Sequence, residues 1–290
     1  MPHSNKSPLI SCQDLQALQQ NNPNCLVFDV SFDLFQPAAG FAQYQECHIA
    51  GSHYVNLDQH LSVHNSQQAC ASGGRHPLPK PEDFALTLRQ LGVNQDSVVV
   101  VYDRNGLNYC GRLWWMLKWV GHTNAYILDG GLQAWQQAGL STENTSPSAL
   151  PIGNFQLQES GVSLCTAQQV FDNLGQSTQV ILDSRAGPRF RGEVEPLDPQ
   201  AGHIPGAFQR TFNENLNAQG LFKTAKQLEQ EFALLLGSTK TQSIVVHCGS
   251  GVSAIPNVVA LALAGYQQVS LFAGSWSEWC NNPNYPVAKG

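Results

Sequence analysis

An internal repeat constrains this 290-residue chain more than any other feature of its sequence. Two amphipathic helix openings, Ser11-Cys12-Gln13-Asp14-Leu15 and Leu164-Cys165-Thr166-Ala167-Gln168, each offer a hydroxyl side chain as N-cap. Each leads to a short apolar run closed by an aspartate, CLVFD ending at Asp29 and QVILD ending at Asp183. CHIAGSHYVNLD (Cys47–Asp58) is then answered by GHIPGAFQRTFN (Gly202–Asn213), SVVVVYD by SIVVHC, and ILDGGLQAW (Ile127–Trp135) by LFAGSWSEW (Leu271–Trp279). Asp183 follows Asp29 by 154 residues and His203 follows His48 by 155; Cys248 follows Asp103 by 145 and Trp279 follows Trp135 by 144. The offset shifts once, as a single difference in loop length produces. The order of five matched segments identifies a tandem duplication.

The repeated unit reads as α/β. Its apolar runs are too short and too β-branched for core helices and suit buried parallel strands. They alternate with helical stretches at Pro81–Leu91, Gly111–Val120 and Ala254–Ala264. That alternation predicts two tandem domains, each a mainly parallel sheet with helices on both faces. The polar, turn-prone stretch Ser141–Pro151 marks the join. The expected division is residues 1–143, a linker over 144–158, and 159–290. A hydrophobic share of 42% is ample for two cores.

The duplication also isolates one residue. At the end of the same central strand one half carries Asp103 and the other Cys248. Ligands of open α/β sheets bind at the carboxyl ends of strands. Cys248 therefore stands where chemistry is expected, and its twin cannot perform thiol chemistry. The segment Cys248-Gly249-Ser250-Gly251-Val252-Ser253-Ala254 runs straight into a helix, with Pro256 in the first turn. Two glycines allow a tight curl that aims several N–H groups inward, a nest that stabilises a thiolate and then a persulfide anion.

Other classes fall away. A net charge of −6 leaves no basic stripe for nucleic acid. No apolar run approaches the ~18 residues of a membrane span. The opening MPHSNKSPLISCQDLQAL lacks the basic and apolar regions of a secretory signal, so a cytoplasmic location is expected. The eight cysteines include no CxxC pair and no zinc-finger spacing, and read as reduced thiols, mostly in the core. No metal or organic cofactor is expected.

With these residues in view, the chain resembles the two-domain rhodanese and 3-mercaptopyruvate sulfurtransferase family over essentially its whole length. The likeness rests on HIAG and GHIPGA, RFRGEVEP (Arg189–Pro196), CGSGVSA and GSWSEW (Gly274–Trp279). The resemblance implies an inactive first domain with Asp103 at the cysteine position and a catalytic second domain. Its activity would be transfer of sulfane sulfur through a Cys248 persulfide to a thiol, thioredoxin or cyanide. The amides of Gly249, Gly251, Val252 and Ser253 would cradle the sulfur.

Donor choice follows the loop. Family members preferring thiosulfate follow the cysteine with Arg and Lys, whereas mercaptopyruvate enzymes carry Gly and Ser, as Gly249 and Ser250 do here. The family likeness assigns Arg189 to the keto acid's carboxylate. A second such arginine would fall near Leu197-Asp198, where this chain has none, leaving Arg191 as a substitute. The resemblance also implies a relay of Ser250, His76 and Asp58, with His76 titrating near neutrality. His48, His203 and His247 read as structural. Thiosulfate transfer and a non-catalytic persulfide carrier are the alternatives. A cysteine phosphatase is excluded, since the sixth residue after Cys248 is Ala254 where that chemistry needs arginine.

Overall fold

The computed structural model describes residues 7–64, 68–145, 147–237 and 240–290. Five strands form the first sheet: β1 (Leu9–Ile10), β2 (Cys25–Asp29), β3 (His53–Tyr54), β4 (Val98–Tyr102) and β5 (Ala125–Leu128). Five form the second: β6 (Ser163–Leu164), β7 (Gln179–Asp183), β8 (Phe208–Gln209), β9 (Ser243–His247) and β10 (Val269–Leu271). The orders are β1-β5-β4-β2-β3 and β6-β10-β9-β7-β8, every pairing parallel, so the duplicated sequence folds into one topology twice. A short antiparallel pair, His48–Ile49 with Thr142–Glu143, is added to the first domain.

Local chemistry sets the helix starts. Ser11 accepts the Asp14 N–H at 3.1 Å, and Thr166 and Thr224 form capping boxes with Gln169 and Gln227. Pro81 and Pro256 sit in first turns, where a missing N–H is harmless. His48 stacks on Tyr44 and bonds its carbonyl at 2.6 Å, and His203 does the same with Phe190 at 2.8 Å, so the duplicated histidines are structural. His247 is fully buried, its Nε2 3.7 Å from Asp183. Of the eight free cysteines four are buried, three half-buried and Cys70 exposed, fewer in the core than expected.

Helices Cys110–Trp119 and Ile255–Leu263 pack against each other and join the two halves. Gly111 makes this approach possible: a Cβ there would lie 2.8 Å from Ile255 Cγ2. One apolar cluster runs through both domains, from Phe28 and Trp115 to Val246 and Ala273. The segment joining the sheets lies along the first domain, with Phe155 buried and its N–H on the Val93 carbonyl. Among the described residues no helix is long and apolar enough to cross a membrane.

Candidate active site

Both central strands end in a loop that curls before a helix, and the two loops differ in what their amides hold. Asp103 follows β4 directly and is fully buried. Its carboxylate accepts N–H bonds from Asn105, Leu107, Tyr109 and Cys110, all at 2.8–2.9 Å. In the second domain, Cys248 follows β9 and is 2% exposed. The amides of Gly249 to Ala254 donate to no protein group among the described residues. One loop spends its amides on its own carboxylate; its twin leaves the N–H groups that follow Cys248 without a protein acceptor among the described residues. Gly251 makes the curl with φ of +75°, and a Cβ there would lie 2.2 Å from the Ala273 carbonyl oxygen.

The GSWSEW segment holds this loop from behind. Ser275 Oγ accepts the Cys248 N–H at 3.1 Å, the Trp276 N–H reaches the Cys248 carbonyl at 3.0 Å, and the Ser277 N–H reaches that of Gly249 at 2.9 Å. Ser275 is held in the left-handed region, φ +56°, where its twin is Gly131 at +59°. The second domain thus tolerates backbone strain, ~1–2 kcal/mol for a non-glycine residue, with a hydroxyl on the Cys248 backbone. Ser275 is absent from the expected site. Comparing Gly131 with Ser275, as Asp103 was compared with Cys248, was the signal that could have found it.

Three residues expected to act together are brought together from two domains. His76 Nδ1 lies 2.7 Å from Ser250 Oγ, and His76 Nε2 lies 3.5 Å from Asp58 Oδ1. A carboxylate only accepts, so Asp58 favours the tautomer with the proton on Nε2, leaving Nδ1 to accept the Ser250 hydroxyl. The expectation that His76 titrates near neutrality is corrected. Burial, reinforced by the charges of Arg112 and Arg75, pushes it down to about 3, and the ring is neutral at physiological pH. His64, unforeseen, also meets Asp58 at 3.2 Å. His76, Ser250, Val252 and Ser253 border a cavity of about 260 Å³ whose other wall includes Phe32 and Tyr109 of the first domain.

Cations approach the loop from outside it. Arg189 lies over Gly249: a Cβ at Gly249 would be 3.5 Å from its Nη1 and 2.9 Å from Arg75 Nη2. Arg191 does not substitute for the missing second arginine; it is half-exposed and turned to Glu193 at 2.6 Å. Beneath the loop stands Arg112, fully buried. It donates to the Gly251 carbonyl at 3.1 Å, to that of His76 at 2.8 Å and to that of Leu61 at 3.3 Å. Among the described residues it meets no carboxylate. Burial lowers it to about 10, with the Cys248 side chain acting in the opposite direction. An uncharged loop is therefore not an uncharged site.

Residues 11–138 and 166–282 each match the model of the rhodanese-like domain. The chain belongs to the rhodanese family. A provisionally named 3-mercaptopyruvate sulfurtransferase of Pseudomonas aeruginosa is 45% identical over 97% of this chain and 98% of its own. A provisionally named thiosulfate sulfurtransferase, SseB of Mycobacterium tuberculosis, is 39% identical over 97% of each chain. The crystal structure of SseA from Escherichia coli, described for the rhodanese fold and mechanism of 3-mercaptopyruvate sulfotransferases, matches with a TM-score of 0.80 at 32% identity. That match covers 94% of this chain and all of SseA. Each matched range takes in four strands of one five-stranded parallel sheet, and Cys248 stands at a strand end of the second.

Proposed function

We propose that this rhodanese-family chain is a sulfurtransferase that takes sulfur from 3-mercaptopyruvate onto Cys248 and passes it to cyanide or to a thiol, thioredoxin among them. The observation that carries the reading is the asymmetry of the two nests: the Cys248 loop has free amides where the Asp103 loop spends them on a carboxylate. The names of the Pseudomonas and Escherichia relatives point to the same donor.

The Cys248 thiolate attacks the donor's sulfur and forms an S–S bond. The C–S bond breaks, its electron pair going to carbon, and pyruvate leaves as its enolate. The proton carried by the donor's thiol ends on the pyruvate methyl group, and the neutral His76–Ser250 pair, oriented by Asp58, is placed to move it. The amides of Gly249, Ser250, Gly251, Val252 and Ser253 hold the persulfide anion while Arg189 holds the carboxylate. An acceptor then attacks the outer sulfur and releases the Cys248 thiolate, a two-stage cycle with ping-pong kinetics. The sulfur is carried on the protein itself, so the scheme calls for no metal or organic cofactor. Eight free thiols suit a reducing compartment, and we place the protein in the cytoplasm.

The test is steady-state transfer to cyanide from 3-mercaptopyruvate and from thiosulfate. A preference for mercaptopyruvate by two or more orders of magnitude is expected. Thiosulfate is the second reading, favoured by the cations above Gly249 and by the name of the Mycobacterium relative; a preference for it would overturn the donor assignment. A stable persulfide without turnover would make the chain a carrier.

A further inference from the structure

A second cavity lies between the domains, at the opposite ends of the strands from Cys248. Cys248 follows the carboxyl end of β9, whereas this cavity is bordered by Ala125, Ser163 and Val269, the first residues of β5, β6 and β10. Its volume of about 630 Å³ is that of a small-molecule pocket. The two helices that join the halves both wall it, Cys110–Trp119 through Trp114 and Lys118, and Ile255–Leu263 through Val258 and Ala262. Tyr126 and Tyr266 add aromatic surface from either domain. Trp114 Nε1 is already spent on the Ala125 carbonyl at 3.1 Å, so the indole has only apolar surface to offer.

Two polar groups of this wall are left short of partners. Lys118 Nζ donates to the Thr123 carbonyl, and an ammonium carries three hydrogens. Among the described residues no carboxylate pairs with it, although Lys223 and Lys240 each have one. Its charge lies 6.0 Å from the centre of the Trp114 ring, and burial pushes the amine down to about 8. Tyr266 is 4% exposed, and its hydroxyl is buried without a partner among the described residues. A cation without a counter-charge and a buried hydroxyl without a bond both raise the energy of the empty cavity. A carboxylate supplies what each lacks. One cation selects a monoanion, since a dianion would bring buried charge that nothing offsets.

We propose that this interdomain cavity is a binding site for a small aromatic monocarboxylate, its charge on Lys118 and its ring against Trp114, Tyr126 and Val258. The site is separate from Cys248, and the inference stands whichever sulfur donor the protein uses.

The test titrates the full chain calorimetrically with 2-naphthoate and with 2-naphthamide, its uncharged counterpart. Naphthoate should saturate one site per chain and bind at least tenfold more tightly than naphthamide. Lys118→Met should remove that difference and leave naphthamide binding as it was. Ala262→Trp, at an exposed position on the wall, should abolish binding of both, and Val162→Trp fills the same space independently from the segment between the domains. All three variants should keep the wild-type far-UV spectrum. Failure of naphthoate to bind overturns the proposal. So does binding that ignores Lys118→Met or survives both tryptophans, which would put the ligand elsewhere, the Cys248 cavity included. Ser7 and Pro8 also border the cavity, so a chain without residues 1–6 is measured alongside. Binding seen only in that shortened chain would make the amino-terminal segment the occupant and overturn the proposal too.

Discussion

Gly251 and Gly106 allow one substitution to be tried twice in the same fold. Each stands three residues beyond the strand-end residue, Cys248 or Asp103, and each has positive φ, +75° and +71°. Alanine at either position suffers the same left-handed penalty, about 1–2 kcal/mol, partly offset because glycine loses more entropy on folding. Their surroundings differ. At Gly106 the nearest atom to a new Cβ is Leu216 Cδ1 at 3.6 Å, an ordinary contact. At Gly251 the Cβ would lie 2.2 Å from the Ala273 carbonyl oxygen and 2.9 Å from two further backbone atoms. No rotamer relieves a backbone overlap, so the loop must retreat by roughly 1 Å, a displacement that costs about 100-fold in a preorganised site. Gly106→Ala should lose about 1 kcal/mol in urea unfolding and keep sulfur transfer within about twofold. Gly251→Ala should lose a further ~1–3 kcal/mol from overpacking and at least ~100-fold in kcat. Transfer by Gly251→Ala within tenfold of the wild type would refute the argument that this backbone contact fixes the nucleophile loop.

Replacing Cys248 with Ser should abolish transfer from any donor and leave the far-UV spectrum and unfolding midpoint unchanged; residual turnover would remove Cys248 from the mechanism. Arg112→Met strips the Gly251, His76 and Leu61 carbonyls of a charged donor, and should lower stability by about 2–4 kcal/mol after relief of the buried charge is counted. An unshifted urea midpoint would show that those bonds do not hold the domains together. His76, at about 3 in the fold against an ordinary 6.5, takes up a proton more readily when unfolded. Its contribution to stability is thus present above pH 6.5 and is lost as pH falls toward 3, by about 2 kcal/mol between pH 7 and pH 5. His76→Asn should flatten that part of the pH–stability curve, and an unaltered slope would contradict a neutral buried ring.

The repeat made most of the fold legible. Strand runs such as CLVFD and QVILD carry their own signal, because parallel strands covered on both faces must be apolar throughout. Caps at Ser11 and Thr166 are equally local. Cys248, the proposed nucleophile, was legible for a different reason: aligning the chain with itself sets it against Asp103, and the glycines that follow announce a loop able to turn its amides inward. The same comparison, carried one segment further, sets Ser275 against Gly131.

The cations could not be read this way. Arg112 lies inside an apolar helix whose sequence gives no reason for charge, and its partners are carbonyls 36, 51 and 139 residues away. Arg75 looks like a surface arginine beside a histidine until folding sets it over Gly249 with Arg189. His76 reads as a titrating group because sequence carries no burial, and burial is what keeps it neutral. Sequence alone was enough for the two α/β domains, the strand ends and the cysteine that stands at one of them, since each depends on periodicity or local backbone geometry. The electrostatics of the site were decided only by tertiary structure, because charge acts through space and the domain interface sets those distances.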